Sequence, residues 1–103
     1  MNEGWHDVCA TGEIDDEDLI TLDVAGKHVA IYNTPEGFFA TQGMCTHENE
    51  SLGDGLVMDG VIECPLHQGR FCVQSGKALS APVTVDLKTY EIKIENDRIF
   101  ICI

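Results

Sequence analysis

No apolar run in this sequence approaches the roughly 18 residues a membrane-spanning helix requires. The first residues, Met1 to Asp7, lack a basic stretch followed by an apolar one, so no secretory signal is expected. The reading is a cytoplasmic protein with no membrane partner. Basic side chains are also scarce, with 6 Lys and Arg against 18 Asp and Glu and a formal net charge of −12. Phosphate backbones are bound by Lys and Arg, which excludes nucleic acid as a partner. A Gly-x-Gly-x-x-Gly signature is missing, and with it the usual means of taking electrons from a nicotinamide nucleotide. There is no 3.6-residue hydrophobic period, no internal repeat and no low-complexity linker. What is left, at 103 residues, is one small domain without helices.

The local patterns favour short antiparallel strands. Trp5 to Val8 forms a candidate first strand. Leu19 to Val24 and Lys27 to Tyr32 flank Ala25-Gly26, and Leu56 to Met58 and Val61 to Glu63 flank Asp59-Gly60, both two-residue hairpin signals. Thr34-Pro35-Glu36-Gly37 reads as a turn into a strand at Phe38 to Thr41. Arg70 to Val73 runs into a turn at Gln74 to Lys77. Tyr90, Ile92 and Ile94 alternate with Glu91, Lys93 and Glu95, the pattern of a strand with one buried face, and Asn96-Asp97 turns the chain into Arg98 to Cys102. The fold class is all-β. The acidic run Glu13 to Asp18 reads as a solvated loop that keeps the protein soluble, with electrostatic steering toward basic partners as the sharper reading.

One stretch carries chemistry. Cys45-x-His47 and Cys64-x-x-His67 each offer a thiolate and an imidazole from a tight loop, with residues 48 to 63 between the pairs. Such a donor set also suits a structural zinc. Zinc sites, however, usually pair Cys with Cys two to four residues apart and His with His three to five apart, whereas each half here mixes the two. Cys9, Cys72 and Cys102 are expected as reduced thiols in a cytosolic protein, and Cys72 as no ligand. His6 and His28 are expected as surface or strand histidines.

With its two mixed pairs and the phrase Cys64-Pro65-Leu66-His67-Gln68-Gly69-Arg70-Phe71, the chain resembles the Rieske [2Fe–2S] proteins. Within them it is most similar to the small ferredoxins of bacterial aromatic-ring-hydroxylating dioxygenase systems. The resemblance implies one [2Fe–2S] cluster, with Cys45 and Cys64 on the inner iron and His47 and His67 on the outer. It implies a basal antiparallel β-sandwich or barrel from about 1–42 and 83–103, with a small cluster-binding subdomain inserted at about 43–82. Pro82 matches a proline-bearing third loop over the cluster. The implied role is a one-electron shuttle from a flavoprotein ferredoxin reductase to a terminal Rieske oxygenase. The chain is not itself an enzyme, since 103 residues leave no room for a catalytic domain with its own mononuclear iron. The alternative is a Rieske-type small subunit of an assimilatory reductase such as nitrite reductase.

The ligand set sets the redox range. Ferric ions, sulfides, two thiolates and two neutral imidazoles cancel in charge. Replacing two thiolates by imidazoles raises the potential to about −150 to +300 mV. Respiratory members of the family carry a second Cys in each loop and, after the second His, a Ser and a Tyr whose hydroxyls donate to the cluster. This chain has Glu50 and Leu66 at the first pair of places and Gly69 and Phe71 at the second, so the low end of the range is expected. Gly53, Gly55 and Gly69 are expected to permit backbone angles or close approaches that a Cβ would block. Pro65 stiffens the second loop, and Glu48 and Glu50 are expected to flank His47 where a partner docks.

Overall fold

Four consecutive side chains, Val29, Ala30, Ile31 and Tyr32, are fully buried. Successive residues of a strand point to opposite faces, so the strand that carries them is covered on both sides. The computed structural model describes residues 4–46, 50–65, 68–81 and 83–103. Along the chain its strands are β1 (Trp5–Ala10), β2 (Asp18–Val24), β3 (Lys27–Thr34), β4 (Gly37–Gln42), β5 (Leu56–Met58), β6 (Val61–Glu63), β7 (Arg70–Cys72), β8 (Ala78–Ser80), β9 (Thr89–Tyr90), β10 (Ile92–Glu95) and β11 (Arg98–Cys102). Short 3₁₀ turns lie at Thr11–Glu13 and Leu52–Asp54.

The strands make three antiparallel sheets, ordered β1-β11-β10, β2-β3-β4-β9 and β5-β6-β7-β8. The second is the shared wall. Its Val24, Val29, Ile31 and Ala40 pack with Cys9, Ile14, Ile99 and Ile101 toward the terminal strands. Its Leu19, Ala30 and Tyr32 pack with Val57, Ile62 and Phe71 of the third sheet and with Val83 and Leu87. The continuous apolar run of β3 is thus the mark of a strand between two cores.

The hairpins form where expected, and for the expected reason. Ala25 and Gly26 have φ of 51° and 81°, Asp59 and Gly60 53° and 75°, and Asn96 and Asp97 52° and 60°. Positive φ at both central residues is the I′ geometry whose twist matches that of the flanking strands. In the acidic run Asp15, Asp16, Glu17 and Asp18 are exposed, while Ile14 is buried and anchors the loop. Asn33 Nδ2 donates to the Ile14 carbonyl at 3.0 Å.

Two details differ from the sequence reading. Ala78–Ser80 forms an edge strand against β7 with an irregular register, which no alternation announces. The single strand expected from Tyr90 to Glu95 is broken at Glu91, because Tyr90 pairs with Ala40 of the central sheet while Ile92 pairs with Ile101 of the terminal one. Ile94, beside the last hairpin turn on edge strand β10, is 44% exposed rather than buried.

Tyr32 supplies a test of the shared wall. Its hydroxyl lies 2.8 Å from Thr41 Oγ1, which itself donates to the Gln42 carbonyl, so the phenol is the donor. Burial pushes the phenol well above its ordinary 10.0, with the Thr41 hydrogen bond opposing. The folded state therefore holds the proton more tightly than the unfolded chain. Its stability contribution is complete below the ordinary value and lost as pH rises above it. Tyr32→Phe is expected to cost about 1 kcal/mol near neutrality, and the deficit should shrink or reverse near pH ~11. Urea unfolding at both pH values, followed by circular dichroism, measures it.

Candidate metal centre

Two loops leave the third sheet and its approach, and each is closed in the same way. In the first, Leu52 N–H donates to the Gly43 carbonyl at 2.7 Å, Met44 bridges Ser51, and Cys45 N–H donates to the Glu50 carbonyl at 2.9 Å. In the second, Glu63 pairs with Arg70 across β6 and β7, and Cys64 N–H donates to the Gly69 carbonyl at 2.7 Å. Each cysteine thus sits at the last rung of a short antiparallel neck, its amide bonded to the residue five positions on. His47 and His67 lie outside the described residues, as do Glu48, Leu66 and Pro82.

The two thiols are held inside. Cys45 is 6% exposed and Cys64 0%, and both belong to the core cluster that includes Phe71, Val83 and Leu87. A third segment joins the necks. Thr46 Oγ1 donates to the Val85 carbonyl at 2.6 Å, and Lys88 N–H donates to Gln42 Oε1 at 2.8 Å. Val83, two residues before Val85, packs on Gly69, where a Cβ would overlap Val83 Cγ1. Gly69 is not in the left-handed region. What it supplies is space for the third segment, and a serine there meets Val83 first.

The neighbours of the necks fall into place around this. Arg70 Nε donates to Glu63 Oε1 at 3.0 Å on the exposed face of the sheet. Cys72 follows buried Phe71 on β7 and so points to the opposite face. Hydrogen bonding to the Ser75 side chain holds its thiol below the ordinary value, against the effect of part-burial. Cys9 lies in the other core, its thiol pushed up chiefly by burial and next by Glu13. Cys102 is half-buried on β11. Among the described residues no three metal-binding side chains converge; Cys45 and Cys64 are the described part of the expected set. Two buried sulfurs on matching hydrogen-bonded necks, each with an imidazole two or three residues along in sequence, suit a cofactor that takes both kinds of donor from two loops.

No local pattern signals the Val83 and Thr46 contacts, which join residues far apart in the chain. Nor does local pattern give His28 a role. In the structure His28 is hydrogen-bonded on both ring nitrogens, to Asp23 and to Ser51 beside the first neck.

A family model described as the Rieske [2Fe-2S] domain matches residues 4–91. The ferredoxin component of the naphthalene 1,2-dioxygenase system of Pseudomonas aeruginosa is 46% identical over 101 residues, covering 98% of this chain and 97% of its own length. Among solved structures, a chain from the complex of reduced oxygenase and oxidized ferredoxin in carbazole 1,9a-dioxygenase superposes with a TM-score of 0.91 at 32% identity, over 98% of this chain and 94% of its own. A putative small subunit of NADPH nitrite reductase superposes at 0.84 over 96% of this chain and 98% of its own, but at 20% identity, which is a likeness of fold alone.

The contact between Gly69 and Val83 is testable. Gly69→Ala should destabilise the protein by about 1–3 kcal/mol through overpacking, and Val83→Ala should cost a similar amount through lost burial. The double variant should be more stable than the sum of the two losses predicts, because each removes the other's clash or void. Thermal unfolding of the four proteins measures the coupling.

Proposed function

The chain belongs to the Rieske [2Fe–2S] domain family, and from that premise we propose that it is the ferredoxin of an aromatic-ring-hydroxylating dioxygenase system. It carries single electrons from a flavoprotein reductase to the terminal oxygenase and is not itself the catalyst. The observation that carries this reading is the identity to a dioxygenase ferredoxin component along 98% of the chain. The reductase small subunit, matched in fold alone, has no comparable support.

One [2Fe–2S] cluster supplies the reversible one-electron chemistry when bound. The proposed ligands are Cys45 and Cys64 for the inner iron and His47 and His67 for the outer, within a cluster-bearing part at about 43–82. The protein's own contribution is position and burial. Both necks hold their cysteines at a hydrogen-bonded rung, and Phe71, Val83 and Leu87 exclude water from the side where the sulfurs lie. His47 and His67 follow the cysteines in sequence, and as ligands of the outer iron they would give a short electron path to a docked partner. Among the described residues no helix is long and apolar enough to cross a membrane, and the cytoplasm is the proposed site of action.

Purified protein should contain two irons and two acid-labile sulfides per chain and pass electrons in a system reconstituted from reductase, ferredoxin and oxygenase. Replacing Cys45, His47, Cys64 or His67 should abolish the native visible spectrum, while Cys72→Ser should leave it intact. Loss of the spectrum in Cys72→Ser alone would overturn the ligand assignment.

Phe71 tests the tuning. It is fully buried in the core cluster that holds both thiols, and it offers no hydroxyl. A donor stabilises the more negative, reduced state more than the oxidised one. A differential of roughly 1 kcal/mol, set against 59 mV per tenfold change for one electron, makes Phe71→Tyr worth about +40 mV. Protein-film voltammetry reads the shift. An unchanged potential, with the new hydroxyl seen bonded to sulfur, contradicts this account.

A further inference from the structure

The neck of the first loop does not stand alone; it rests on one side chain of β3. The His28 carbonyl accepts from Gly43 N–H at 2.8 Å, on the incoming arm. The His28 ring reaches the outgoing arm, with Nε2 3.0 Å from Ser51 Oγ. On the other side of the ring Nδ1 is 3.1 Å from Asp23 Oδ1 on β2. The ring crosses directly against Gly43, where a Cβ would overlap ring atom Cδ2. Ser51 Oγ also accepts from Gly53 N–H at 3.1 Å, capping the 3₁₀ turn that follows.

These partners assign the hydrogens. An ionised Asp23 only accepts, so Nδ1 donates to it, and in the neutral ring Nε2 is left as the acceptor. The Ser51 hydroxyl then donates to Nε2 while accepting from Gly53. Each polar group in the row Asp23–His28–Ser51–Gly53 has a partner, and the row runs from the edge of the central sheet to the base of the loop that carries Cys45 and His47.

We propose that His28 is a positioning residue for the cluster: it clamps both arms of the first neck, and Asp23 acts on the neck through it by fixing the ring's tautomer and orientation. Gly43 is the seat that admits the ring. The inference rests on Cys45 and His47 being ligands. It adds that the geometry of their loop is set by three side chains, none of them a ligand.

The test uses the cluster-loaded protein and three readings: the rate of cluster loss to an iron chelator, the electron paramagnetic resonance spectrum of the reduced form, and hydrogen exchange of the segment containing the Cys45 and Leu52 amides. Asp23→Ala is expected to speed cluster loss and neck exchange severalfold and to alter the spectrum, although Asp23 is bonded to the far ring nitrogen and not to the neck. The same substitution should have no further effect in a His28→Phe background, where a ring still lies on Gly43 but no nitrogen remains. Ser51→Thr should behave as the parent and Ser51→Ala should not. Asp7→Ala, which removes the Asp7–Arg98 pair on the terminal sheet, controls for general destabilisation and should leave spectrum and neck exchange unchanged. Equal effects of Asp23→Ala with and without His28, or effects no larger than those of Asp7→Ala, overturn the proposal. A chain that takes up no iron–sulfur cluster would instead overturn the ligand reading on which it rests.

Discussion

The burial of β3 on both faces is the constraint from which the rest of the architecture follows. A strand with four consecutive side chains removed from water needs a layer on each side. The terminal strands β1, β10 and β11 provide one, with Ile99 and Ile101 against Val29 and Ile31. The third sheet and the segment after it provide the other, with Ile62, Phe71 and Val83 in the cluster of Ala30 and Tyr32. The third sheet has only three-residue strands, too short to form a stable unit without a neighbour to pack on. It depends on β3 for its core, and both cysteines lie in that same core.

This placement accounts for what could be read in advance. The three two-residue hairpins were legible because Ala25-Gly26, Asp59-Gly60 and Asn96-Asp97 sit between strand-forming runs and adopt the positive φ that such turns demand. The two cysteine–histidine pairs could be singled out because the members of each pair are close in sequence, and the structure places Cys45 and Cys64 in one core. By contrast, Ala78–Ser80 carries no alternation, and its pairing with β7 depends on a bulge that only the finished sheet specifies. The change of sheet at Glu91 was hidden because Tyr90, Ile92 and Ile94 keep an unbroken period of two while their partners change. Gly69 was singled out correctly but for two possible reasons. The choice between them needed Val83, which lies in a different segment.

His28 shows the same limit more sharply. In sequence it is a polar residue at the start of an apolar strand, and solvent is the simplest partner for it. Its actual partners come from β2 and from the far arm of a loop beginning after β4, and Gly43 matters only because that ring crosses it. Local pattern reports what a residue prefers; it does not report which distant arm will be within reach.

The necks also bear on how cofactor and fold depend on each other. In many small metal domains the metal creates the structure, and the apo chain is unfolded. Here the last rungs at Cys45 and Cys64 are made by backbone hydrogen bonds, and the core behind them is filled by Leu52, Val57, Ile62 and Phe71. Such a core gives the chain a basis for folding before a cluster binds, with Cys45 and Cys64 already brought into one core. A cofactor that must gain and lose an electron without rearranging its surroundings is well served by cysteines whose backbone positions are set by the protein's own hydrogen bonds.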